Sequence, residues 1–186
     1  MSAKAAATRL WRTPAILCCI AITIAIAIAA APAFADDQEV PVGGVLRDAA
    51  LRGLNGPSQN LAAYRGRPLI INVWASWCGP CREEMASLER LAWRDPNQYF
   101  VIIGISTDDY AEQAAGLLKK SNATISQFID TRLQMEKMLG ASRLPLTVLV
   151  DADGRVLEKV YGARQWDGAD AQRLIDATFH KKLQAK

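Results

Sequence analysis

The sequence predicts an α/β domain with a central β-sheet flanked by helices, and three observations lead there. Two nearly unbroken β-prone runs, Pro68–Ala75 and Tyr99–Ser106, read as strands buried on both faces of a parallel sheet. Each is followed by a segment of helical periodicity. Further on, two apolar runs meet at Asp153-Gly154, a hairpin signal that adds antiparallel strands and makes the sheet mixed. A chain of 186 residues suits one domain with a proper core, roughly 100–200 residues being usual.

Taken in order, the chain opens with an export segment. Lys4, Arg9 and Arg12 precede the run Ala15–Ala31, apolar except for Thr23, which ends in the small-x-small pattern Ala33-Phe34-Ala35. The run is longer than a typical signal core of about 7–15 residues and short of the ~20 of a comfortable membrane span. Residues 1–35 are therefore expected to be a signal peptide or a retained N-terminal membrane anchor, with 15–31 as the tether. Either way the basic end stays on the cytoplasmic side and the body, 36–186, lies outside. Those three cations also carry the whole net charge of +3, since the chain has 22 Lys and Arg against 19 Asp and Glu. A balanced body argues against a nucleic-acid partner, which requires a clustered basic face.

In the body, Pro68–Ala75 is the first buried strand, and Arg82–Trp93 follows as a helix with Met85, Leu88, Leu91 and Ala92 on one face. Tyr99–Ser106 is the next strand. Asp109–Lys120 follows as a helix with Asp109 and Glu112 as a capping box. Thr124–Ile129 reads as a short strand and Leu133–Leu139 as a helix stopped at Gly140. Leu144–Asp151 and Arg155–Tyr161 are the hairpin strands. Asp167–Lys182 closes the chain as an amphipathic helix through Ala171, Leu174 and Ile175. Lys119-Lys120 and Lys181-Lys182 read as solvated helix ends. Of the tryptophans, Trp74, Trp93 and Trp166 are expected in the core or its rim, and Trp77 against substrate.

Cys18 and Cys19 fall in the leader, so the body keeps only Cys78 and Cys81. Such a pair is half a zinc site, a local bridge or a redox couple. A structural zinc site needs about four ligands, and the single histidine, His180, leaves the set short. No metal is expected. Cys78 falls at a strand-to-helix corner, with Pro80 in the first helical turn, where no N–H is needed. The helix N-terminus favours a thiolate there. Cys81, one turn inside, can attack a mixed disulfide formed on Cys78, which is the geometry disulfide exchange requires.

Trp77-Cys78-Gly79-Pro80-Cys81 after an apolar strand resembles the thioredoxin active site. With Leu54-Asn55-Gly56, Leu61–Pro68 and Ile71-Asn72-Val73-Trp74-Ala75, the chain from about 41 to 180 resembles the TlpA/ResA-like group of exported thiol-disulfide oxidoreductases. The resemblance implies a thioredoxin fold with N-terminal extension strands and a family-type insertion. Asn72 stands where cytoplasmic thioredoxins have a buried Asp, as the exported group usually shows. Glu84 matches the group's Glu three residues after the second Cys, either tuning the thiols or lying solvated on the helix. Ala86 stands where the group often has Pro. The resemblance also favours a cis peptide between Leu144 and Pro145 facing the cysteines, over the plainer reading of Pro as a tolerable first residue of a strand. Leu146 stands where the group commonly has Thr. Expected substrate contacts are Trp77, Gly79, Pro80, Leu144 and Pro145, with the Leu144 backbone pairing with an extended segment.

The expected function is therefore that of a periplasmic protein-disulfide reductase with Cys78 as nucleophile and Cys81 as resolving thiol. Its only redox group is the Cys78–Cys81 disulfide, with no separate cofactor. No phosphate loop or dinucleotide fingerprint is present in the sequence, so electrons arrive from another protein. The resemblance implies a membrane thiol carrier of DsbD or CcdA type as donor. It also implies disulfide-bearing substrates in cytochrome c maturation or copper-site assembly. Two other readings stand beside it. A Cu(I) metallochaperone would use the two thiolates. A thiol peroxidase would need an Arg and hydroxyl setting that Gly79-Pro80-Cys81 does not supply.

Overall fold

A computed structural model describes residues 38–94 and 99–180, all within the unit Asp37–Lys186. The leader and Lys181-Lys182 lie outside the described residues. The elements are β1 (Ala50–Gly53), β2 (Gln59–Asn60), a 3-10 turn (Leu61–Tyr64), β3 (Leu69–Trp74), α1 (Gly79–Arg94), β4 (Val101–Ser106) and α2 (Ala111–Ser121). They continue with β5 (Ser126–Ile129), α3 (Gln134–Leu139), β6 (Leu146–Val150), β7 (Val156–Tyr161) and α4 (Ala169–Phe179). No helix among the described residues is long and apolar enough to cross a membrane.

The seven strands form one mixed sheet in the order β2-β1-β5-β4-β3-β6-β7. Strands β3, β4 and β5 are parallel, and β1 and β6 are antiparallel to their neighbours. This is the expected thioredoxin fold. The N-terminal extension strands are β1 and β2, and the added segment α2–β5 contributes a third parallel strand.

Every residue of β3 is buried, because helices or loops cover both faces of the sheet. Leu69, Ile71 and Val73 point to one side, into a cluster with Met135, Met138 and Leu139. Ile70 points to the other, against Leu88 and Leu91 of α1 and Ile175 of α4. Trp74 completes a third cluster with both cysteines, Met85, Ala114 and Leu118. Alternation across a doubly covered strand is what turns its sequence into a continuous apolar run.

Three local expectations change. The capping box at Asp109 and Glu112 is not formed. The chain stays extended through Tyr110, which holds the N-cap position with φ −122° and no side-chain cap bond, and α2 starts at Ala111. The closing helix begins at Ala169 rather than Asp167, because Gly168 holds the N-cap position in extended geometry with φ −82° and ψ 161°. The hairpin turn forms where expected, residues 151–155 joining β6 to β7, with Gly154 N donating to Asp151 O and Gly154 at φ +82°. Glycine meets that left-handed conformation without strain. Trp93, expected in the core or its rim, is 74% exposed on α1, whereas Trp74 and Trp166 are fully buried.

Candidate active site

β3 delivers the chain to the carboxyl edge of the sheet, where Cys78 N donates to Ala75 O in a turn and α1 begins at Gly79. Cys78 therefore occupies the N-cap position of α1. Its Sγ accepts the Cys81 N–H at 3.2 Å, as a capping oxygen would. Pro80 sits in the first turn, where its missing N–H costs no helical bond. The two sulfurs are joined in a disulfide. Cys78 keeps 6% of its surface and Cys81 none, so of the pair only Cys78 retains any exposure. When the pair is reduced, the dipole and free N–H groups of α1 favour a Cys78 thiolate.

The Leu144–Pro145 peptide is cis, as the resemblance implied. Half-buried Leu144 packs against the cluster that holds both cysteines. Pro145 O accepts from Gly162 N at 2.9 Å, which brings the β7–α4 loop to the same edge. Trp77 is 69% exposed beside Cys78.

Glu84 is buried, at 2% exposure, and the solvated reading of it does not hold. It falls on the inward stripe of α1 one turn after Cys81. Its Oε1 accepts from Asn72 Nδ2 at 2.7 Å, and its Oε2 accepts from Trp166 Nε1 at 3.1 Å and Arg164 N at 3.2 Å. Asn72 also donates to Thr147 Oγ1 at 3.0 Å. Burial pushes the Glu84 carboxyl above the ordinary glutamate range, and these three bonds only partly offset it. Ala86 is exposed on the outer face of α1.

Sequence reasoning missed the opposite wall. The Asp108 carboxylate, 1% exposed, accepts from Ser76 N at 2.9 Å, Ser76 Oγ at 2.7 Å and Ser106 Oγ at 2.7 Å. Arg82 Nη1 donates to Ser76 O at 2.9 Å. The loop just before the disulfide is thus held from both sides. Position was the available signal, because polar residues at the carboxyl end of a parallel strand line the sites of such sheets. Among the described residues no group of three or more His, Cys, Asp or Glu side chains is arranged to hold a metal ion.

A disulfide in the first turn of a helix, with one cysteine slightly exposed and its partner fully buried behind it, is suited to two-electron exchange with other thiols. By fold and site the protein is a thiol-disulfide oxidoreductase of the TlpA/ResA-like thioredoxin type. The family model described as Redoxin matches residues 29–175, and the chain belongs to that family.

Individual relatives agree. Thiol-disulfide oxidoreductase ResA of Geobacillus thermodenitrificans is 28% identical over 129 residues, covering 69% of this chain and 74% of that protein. ResA of Bacillus subtilis is 23% identical over 147 residues, 79% of each chain. Among solved structures, one described as a thiol:disulfide interchange protein DsbE from Chlorobium tepidum aligns with a TM-score of 0.69 at 25% identity. It covers 75% of this chain and 99% of that one.

Proposed function

We propose that this protein is an exported protein-disulfide reductase acting in the periplasm. The observation that carries the reading is the asymmetry of the couple, with Cys78 retaining 6% exposure at a helix N-terminus and Cys81 fully buried one turn behind it. The Cys78 thiolate attacks a substrate disulfide. One substrate sulfur leaves as a thiolate and takes a proton, and the other stays bound to Cys78. Cys81 then loses its proton and attacks Cys78 Sγ, which expels the second substrate thiolate and forms the Cys78–Cys81 disulfide. Two electrons pass to the substrate, and no group beyond the disulfide is needed.

Glu84 is the proposed proton acceptor or tuner for the Cys81 step, a role its burial and raised pKa support. Trp77, Gly79, Pro80 and the Leu144–Pro145 segment form the proposed substrate surface, with an extended chain pairing along the Leu144 backbone. The Gly-Pro between the cysteines favours the reducing direction, since thioredoxin, with the same pair, lies near about −270 mV. The basic and apolar leader supports export. In an oxidising compartment the spent disulfide is re-reduced by a membrane thiol carrier of DsbD or CcdA type. Cytochrome c haem-binding cysteines or copper-site assembly proteins are the proposed substrates.

The direct test is Cys81→Ser in cells. Substrate proteins should accumulate as mixed disulfides on Cys78, released by reductant. A variant that traps nothing while its Cys78 remains reactive to alkylation counts against reduction through mixed disulfides. A measured potential for the couple above about −150 mV would make the protein an oxidant instead.

A further inference from the structure

Two large apolar side chains stand in solvent on neighbouring loops beside the disulfide. Trp77 is 69% exposed and Tyr110 is 64% exposed. Their loops leave the carboxyl ends of the paired parallel strands β3 and β4 and are bonded to each other through Ser76 and Asp108. Immediately after Tyr110, Ala111 and then Ala114 of α2 pack into the cluster that contains Cys78 and Cys81. Tyr110 therefore stands at the solvent edge of the redox site.

The position is also one that the local rules of helix formation would give to another residue. Tyr110 occupies the N-cap of α2 in extended geometry, and its side chain makes no cap bond. Ser, Thr, Asp and Asn are the residues that stabilise such a site. A solvent-exposed ring that displaces a capping side chain contributes little to the fold, and departures of this kind concentrate at functional positions.

The geometry points to Tyr110 as a specificity residue. Its ring, on the α2 side of the disulfide and on the loop next to Trp77, receives an aromatic or aliphatic side chain that flanks the reactive cysteine of a polypeptide substrate. This rests on the reductase reading and deepens it. Cys78 and the cis-Pro145 segment would fix the substrate's sulfur and backbone, while Tyr110 reads a neighbouring side chain. Apolar contact with an aromatic ring is well suited to that, being tolerant of exact sequence.

The test uses pre-reduced protein in single turnover, followed by tryptophan fluorescence. Its probes are two synthetic disulfide peptides that differ only in Phe or Gly beside the reactive cysteine, with oxidised glutathione as the reference. Wild type should prefer the Phe peptide. Tyr110→Ala should lose about tenfold on the Phe peptide relative to its own glutathione rate, the size of one good aromatic contact. Tyr110→Ser should show the same loss while its Tm rises by about 2–4 °C through the restored cap. An unchanged Phe-to-Gly ratio in both variants overturns the inference and leaves the reductase reading standing. So does a loss of the same size on glutathione, or a fall in Tm in both variants, which would make the ring structural. If wild type reduces neither peptide nor glutathione, the reductase reading falls first and this inference with it.

Discussion

Asn72 donates its side-chain amide to Glu84 Oε1 at 2.7 Å, joining the strand that leads into the disulfide to the helix that leaves it. The contact is buried, and Asn72 shares it with Thr147 Oγ1 of β6 at 3.0 Å. Trp166 and Arg164 close the other oxygen of the same carboxylate. One buried acid therefore links β3, α1 and the β7–α4 loop. Ser87, the next polar residue on the inward face of α1, repeats the link by accepting from Trp166 N at 3.0 Å.

The acid gives stability a definite pH dependence. A carboxyl whose folded pKa is raised binds its proton more tightly when folded. Its contribution is complete below the ordinary value of 4.5 and is lost as pH rises through the raised folded value. Glu84→Gln does not titrate, and its amide NH2 must face groups that are all donors, at a cost of about 1–3 kcal/mol. Urea unfolding of the two proteins should therefore show a wild-type advantage that is largest in acid and shrinks towards neutrality. An advantage that grows with pH would contradict the assignment.

The reduced couple should be chemically unequal. Cys78 retains 6% of its surface at the helix N-terminus, whereas Cys81 retains none. In the reduced protein, iodoacetamide should modify Cys78 more than about tenfold faster than Cys81, because thiolate fraction and access both favour it. Peptide mapping of partly alkylated protein reads this directly. Equal labelling, or Cys81 first, would remove the basis for assigning attack to Cys78.

Much of this was legible in the sequence, for reasons that particular residues make plain. The β3 run needs no partner to be read, because burial on both faces leaves an apolar residue at nearly every position. Cys78-Gly79-Pro80-Cys81 carries its geometry within four positions. Glu84 was half legible. It lies in the same helical stripe as Cys81 and Leu88, so its burial follows from periodicity, yet a carboxylate on a helix reads as solvated until its partners, drawn from two other segments, are known. Asp108 was not legible, because its bond to Ser76 spans 32 positions and neither residue announces the other. The capping box failed for a related reason. Local propensity favoured Asp109 and Glu112, but the loop is held to the active-site corner by Asp108, and the helix starts only after Tyr110.

Asp108 can be tested as the anchor of that corner. Replacing it with Ala removes the acceptor of Ser76 N and of two buried or half-buried hydroxyls. The expected destabilisation is about 1–3 kcal/mol in urea, with Asp108→Asn costing less because one acceptor remains. The Cys78 alkylation rate should change in Asp108→Ala as well, since the loop two residues ahead of it loses one of its two restraints. A stability within about 0.5 kcal/mol of wild type would show that Arg82 alone holds the loop.

Gly104 guards the site from the floor of the sheet. A Cβ there would come within 1.8 Å of Gln127 Oε1 and 2.6 Å of Gln127 Cδ, in the neighbouring strand. Gln127 is 3% exposed and cannot swing aside freely, because its Oε1 accepts from Trp74 Nε1 at 2.9 Å. Trp74 in turn is fully buried in the cluster with both cysteines. Gly104→Ala therefore forces either a backbone shift between β4 and β5 or loss of the indole bond. Overpacking and an orphaned buried donor together cost about 2–4 kcal/mol. Gln127→Ala alone also orphans the indole, but in the double variant it makes room for the new methyl group. The double variant should therefore cost clearly less than the sum of the two single changes, as contacting positions do. Additive losses in urea would mean that Gly104 is required for some reason other than the Gln127 side chain.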